Sequence, residues 1–192
     1  MNFRHYCTFV FAGFIGFLIA FVLFIGHYYF HELGHILLGL FSNLLLGYIP
    51  KGLHLTNWNE LWGVPYPTTT KFDSIINTYL FAFGGPIFTV IWGLLLATGL
   101  YKLNRFKGKI NIFVNIMTIL ILFIYLVDAI IGNILFGTDN WINGPILNWD
   151  DYPMFSTIYN YQGLFLLAIM TIAFGIALFP YMKQITAKFN ST

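Results

Sequence analysis

The sequence predicts an all-α membrane protein of about four transmembrane helices, and three observations carry that expectation. Only 8% of the residues are charged, against 58% hydrophobic, where a soluble domain carries roughly 25% charged residues. Mean hydropathy is +0.76. Four long, nearly uncharged segments, each able to cross about 30 Å of hydrocarbon at ~1.5 Å per helical residue, account for most of the chain.

The first segment, about 6–40, follows Arg4 and is superficially like a signal peptide. Its uncharged stretch Tyr6–Gly26 runs for 21 residues, exceeds a usual signal core and lacks a small-x-small cleavage site, so it reads as a retained helix. As one straight helix the whole segment overruns a bilayer, which predicts a break or tilt near Gly26. The second segment, about 74–100, is uncharged throughout. The third, about 110–136, is interrupted only by Asp128, and the fourth covers about 158–182. Between the first two, Ser42–Asp73 mixes turn formers with aromatics (Gly47, Pro50, Gly52, Trp58, Trp62, Pro65, Pro67). That composition fits a short hairpin or re-entrant piece at the membrane interface, or an irregular interfacial loop, about equally. With no internal repeat or low-complexity tract, a single domain over 1–192 is the economical expectation.

Charge distribution predicts orientation. Lys102, Arg105, Lys107 and Lys109 crowd the link between segments two and three, Arg4 precedes segment one, and Lys183 and Lys188 follow segment four. The loops on the other side hold only Lys51 and Lys71. A multi-pass protein with both termini cytoplasmic follows from the positive-inside rule. The formal charge of +2, without a basic cluster interleaved with aromatics, argues against nucleic-acid binding. Cys7 is alone, which excludes an intrachain disulfide and a multi-cysteine metal site.

The chemistry is concentrated in His31-Glu32-Leu33-Gly34-His35, an H-E-x-x-H motif inside the first apolar segment. Residues four apart share a helix face, so two imidazoles can hold one zinc ion while the glutamate between them serves as general base. From the chain's own His and Glu frequencies the motif arises by chance in about one such sequence in a thousand. Burying these groups at membrane depth is costly without partners, which weighs against simple packing histidines. His27, one turn earlier, reads as a third ligand, a residue supporting the ligands or, most simply, an interfacial histidine. Catalytic zinc usually takes three protein ligands, so a third must come from elsewhere. The remaining acidic residues are Glu60, Asp73, Asp128, Asp139, Asp150 and Asp151. Topology puts Asp139 at the depth of the motif, Asp128 two to three turns inside its helix, and Asp150 and Asp151 in the outer loop.

With this embedded motif the chain resembles the site-2 protease family of intramembrane zinc metalloproteases. Phe83-Gly84-Gly85-Pro86-Ile87-Phe88-Thr89 is similar to that family's G-P-x-x-N element, with Thr89 in place of the Asn. The family's N-x-x-P-x-x-x-x-D-G element is absent as written. Pro145 and Asp150 keep its spacing, with Ile142 for the Asn and Asp151 for the Gly. Asp128 followed by Thr138-Asp139 looks like the arrangement of a compact, divergent branch. The resemblance implies a Zn2+ held by His31, His35 and Asp139, with Asp150 as the second choice for the third ligand. It implies Glu32 as the catalytic base, and Gly85, Pro86 and Thr89 beside the substrate. The implied substrate is a membrane protein or peptide, cut at transmembrane or membrane-proximal segments within the lipid bilayer. Many members of that family open toward the cytosol, whereas the basic residues here place the motif toward the outer face. The competing expectations are a metal-binding transporter or sensor without proteolysis, which leaves Glu32 without a role, and a catalytically idle relative that binds partner helices.

Overall fold

The computed structural model describes residues 3–45, 54–58, 65–68, 75–135 and 153–189. They form α1 (Phe3–Leu45), β1 (His54–Trp58), β2 (Pro65–Thr68), α2 (Ile75–Leu103), α3 (Lys109–Val127), a π-helical stretch (Asp128–Leu135) and α4 (Pro153–Phe189). The described residues are thus almost entirely helical. Four stretches, His5–Phe41, Tyr79–Leu103, Lys109–Ile131 and Tyr161–Lys188, are long and apolar enough to cross a membrane.

Three features depart from the expected helices. The break anticipated near Gly26 is absent, and α1 is continuous over 43 residues, about 65 Å at ~1.5 Å per residue. Gly26 serves close packing instead: a Cβ there would lie 3.2 Å from the Trp92 ring. The third segment changes from α- to π-helix at Asp128, a widening that leaves no mark in the pattern of apolar residues. α4 outruns its expected span at both ends. It starts at Pro153, whose missing N–H costs nothing in a first helical turn, and runs past Lys183 to Phe189, where no breaker intervenes.

β1 and β2 pair antiparallel, with His54 opposite Thr68 and Trp58 opposite Pro65. The register slips between Leu55 and Asn57, a bulge adjoining Pro67, which has no N–H to offer a ladder.

The chain divides into two compact units. One comprises Met1–Phe24, Leu94–Ile124 and Asn160–Thr192. In it α1 turns Ala12, Gly16, Ala20 and Phe24, spaced four apart, inward, while Phe9, Phe11, Phe14 and Val22 are exposed. The small inward residues let backbones meet, as packing in lipid favours: a Cβ on Gly16 would stand 2.7 Å from the Gly175 Cα. The α2–α3 link is short and tied. Asn104 donates to the Asn111 and Asn115 side-chain oxygens at 2.5 and 3.2 Å and accepts from the Phe106 N–H at 3.3 Å. Gly108 takes the left-handed turn (φ 68°) that starts α3.

The other unit comprises Ile25–Gly93 and Tyr125–Tyr159 and contains the motif. Its inward positions on α1 are polar or lack a side chain: His27, His31, Gly34, His35 and Gly39.

Candidate metal centre

The site is built from two helices that repeat the same spacing. On α1, His31 and His35 lie four apart and are 7% and 3% exposed. On α2, Phe81, Gly85 and Thr89 also lie four apart, so they share a face. The two faces meet because both backbones lack side chains at the crossing. A Cβ on Gly34 would strike the Gly84 carbonyl oxygen and stand 2.7 Å from the Phe88 Cβ. A Cβ on Gly84 would strike Gly34 in turn. Phe30 packs between Phe88 and Trp92, with ring centroids 5.1 and 5.0 Å away, and steadies the crossing from one side.

Each end of the α2 face holds one imidazole. The His35 Nδ1–H donates to the Phe81 carbonyl at 2.7 Å, so the neutral ring presents its Nε2 lone pair. His31 Nδ1 lies 2.8 Å from the Thr89 hydroxyl oxygen, itself fully buried. With both Nδ1 atoms held, the two Nε2 atoms turn toward each other and stand 3.0 Å apart. Gly85 faces the gap: a Cβ on it would collide with both Nε2 atoms.

This geometry suits one cation. Two nitrogens bound to tetrahedral zinc at 2.0–2.1 Å lie about 3.3 Å apart, close to the observed separation. Hydrogen bonding of the distal ring nitrogen is also the usual way a ligating histidine is oriented. When Thr89 accepts from His31, two lone pairs face across the gap, a repulsion that a bound cation would remove. When Thr89 donates, the His31 Nε2–H instead donates to His35, a bond that an ion would replace. Among the described residues no group of three or more His, Cys, Asp or Glu gathers round one point, so the pair supplies two donors.

The expected site residues are distributed as follows. His31, His35, Gly85 and Thr89 come together, with Pro86 buried beside them within α2. Glu32, the expected base, is half-buried next to His31. Asp139, expected as third ligand, and Asp150, its alternative, lie outside the described residues, as do Glu60, Asp73 and Asp151. The Thr89 hydroxyl, expected beside the substrate, lies 2.8 Å from His31 Nδ1.

His27 is 6% exposed, and its Nε2 lies 3.3 Å from Asp128 Oδ2, so it is a buried partner of the carboxylate that opens the π-helical stretch. Sequence reasoning marked Asp128 as an interruption of an apolar run and as part of the family resemblance, but not as a partner of His27, because pairing across helices depends on depth and rotation. It also missed Gly34 as a packing residue and the Phe81 carbonyl as an anchor. The only sequence signal for the latter was the matched four-residue spacing on the two helices. Pro86 deprives the Ala82 carbonyl of its helical donor, one residue away from the carbonyl that His35 uses.

Thr89→Val keeps the side-chain shape but leaves His31 Nδ1 buried without its partner. A loss of about 1–3 kcal/mol in stability is expected, read as a lower thermal midpoint in detergent.

Comparison of the chain with protein-family models, with curated proteins and with solved structures finds no match in any of the three.

Proposed function

We propose that this chain is a membrane-embedded zinc endopeptidase that hydrolyses peptide bonds of transmembrane or membrane-proximal segments. The observation that carries the reading is the convergence of the His31 and His35 Nε2 atoms on the space left by Gly85, with Glu32 between them in sequence. Large apolar side chains on the outside of α1, with mostly small or polar ones inside, support a lipid setting. We place the strand pair β1–β2 at the membrane interface and the basic α2–α3 link on the cytoplasmic side.

In this mechanism His31 and His35 hold the ion together with a third ligand, for which Asp139 is the choice. Zinc, when bound, polarises the scissile carbonyl and lowers the pKa of a water to about 7. Glu32 would serve as general base, taking a proton from an attacking water as its oxygen adds to the carbonyl carbon. As the C–N bond breaks, Glu32 returns the proton to the leaving amine. Thr89 and the Phe81 carbonyl keep the two rings aimed and do not take part in bond making. Both rings are buried, which keeps bulk water from the pair and strengthens each electrostatic contact within.

The test is purified protein in detergent, assayed for bound zinc and for cleavage of helical substrates, with Glu32→Gln as the variant. Retained zinc with cleavage reduced by at least about 100-fold is expected, the scale of a lost general base. Equal cleavage by both forms, with zinc bound, overturns the protease mechanism and leaves a metal-handling role. A zinc-free wild type overturns the metal centre itself.

A further inference from the structure

Among the described residues, a buried imidazole and a buried carboxylate that the proposed mechanism leaves unused, His27 and Asp128, stand side by side. His27 is 6% and Asp128 9% exposed, and their Nε2 and Oδ2 atoms stand 3.3 Å apart. His27 Nδ1 is buried with no hydrogen-bond partner among the described residues, so the Asp128 carboxylate at Nε2 is the polar anchor of that ring. The rings of Tyr28 and Tyr125 flank it, each with its centroid 5.0 Å away. Tyr125 is itself seated on α2, where a Cβ on Gly93 would approach its Cβ to 2.8 Å.

Two structural facts give this pair a consequence for the metal centre. α1 is uninterrupted from His27 through His35, and successive residues four apart advance by about 40° round the axis. Fixing His27 therefore fixes the rotation of His31, one turn on, and of His35, two turns on. The carboxylate that holds His27 stands at the residue where α3 widens into the π-helix. Such widenings recur at functional sites, and ionisable side chains at membrane depth are retained for a role. The His27 ring centroid is 6.3 Å from that of His31, so its influence runs through the helix and not through ligation.

We propose that His27 and Asp128 are a positioning pair, which sets the rotation of α1 so that both Nε2 atoms face Gly85. The proposal rests on the metal-centre reading above, and its test separates the two. Full-length protein in detergent is titrated with Co2+, following affinity and the ligand-field absorption bands, below the melting transition of each variant. Asp128→Asn and His27→Gln preserve size and hydrogen-bonding atoms. Each is expected to weaken Co2+ binding 10–100-fold and to alter the bands, as loss of a group that orients ligands does. The double variant is expected to lose no more than either single one, because the residues act as a unit.

His35→Ala is the control, and loss of Co2+ binding there establishes the metal centre independently. If that control loses Co2+ while Asp128→Asn and His27→Gln keep wild-type affinity and bands, the pair is purely structural and the proposal is overturned, even where both variants melt earlier. Additive losses in the double variant likewise overturn the pairing. A wild type that takes up no Co2+, or a His35→Ala variant that still binds it, overturns the metal-centre reading and the proposal with it.

Discussion

Gly85→Ala is expected to abolish metal loading while the helices persist. A single methyl group placed there would collide with both imidazole Nε2 atoms, the two donors of the proposed centre. Neither ring can retreat easily, since the Phe81 carbonyl holds one at 2.7 Å and the Thr89 hydroxyl the other at 2.8 Å. A fall in zinc or Co2+ affinity of at least about 100-fold is expected, at or beyond the upper end of what loss of an orienting group causes. Circular dichroism is expected to stay helical. The control is Gly99→Ala in the same helix, where a Cβ meets nothing within 4 Å. That substitution is expected to leave metal binding unchanged and to stabilise by about 0.5–1 kcal/mol, the ordinary helical preference for Ala over Gly. Wild-type metal content in Gly85→Ala would remove Gly85 from the site.

Gly34→Ala is expected to cause the largest loss of stability among the small substitutions in the motif. Its Cβ would strike the Gly84 carbonyl oxygen, and backbone yields far less than the end of a flexible side chain. Overpacking of this kind costs about 1–3 kcal/mol or more, and the gain in helix propensity offsets roughly 1 kcal/mol of it. With a cost near the top of that range, a net loss of about 2 kcal/mol is expected, seen as a lower thermal midpoint in detergent. Gly84→Ala meets the same obstruction from the opposite helix, and combining the two is not expected to add their losses, because one contact is involved. An unchanged midpoint for Gly34→Ala would mean that α1 and α2 do not cross at these glycines.

Much of the site was readable because its determinants are local. The i, i+4 spacing of His31 and His35 requires only that their segment be helical. The long apolar runs around them leave little alternative. Gly84 and Gly85 lack side chains within an apolar helix, which leaves room for another backbone, and Gly34 occupies it. By contrast, the break expected near Gly26 rested on comparing helix length with bilayer thickness, a constraint external to the chain. Locally, an isolated glycine is tolerated in a helix, and here Gly26 makes room for Trp92. Asp128 was legible as an anomaly in an apolar run, though not as a partner of His27. The α-to-π change at that residue was not legible, because the same apolar residues suit either helix.

The sequence by itself determined the four apolar helices, the paired histidines and the glutamate between them, since chain-local periodicity and residue chemistry suffice for each. Only the tertiary structure decided which atoms hold those histidines, that Thr89 serves His31, and that His27 belongs to Asp128. Those choices depend on the relative rotation and depth of helices far apart in sequence, and for His31, His35 and Thr89 the close approach of α1 and α2 at Gly34, Gly84 and Gly85 brings the partners together.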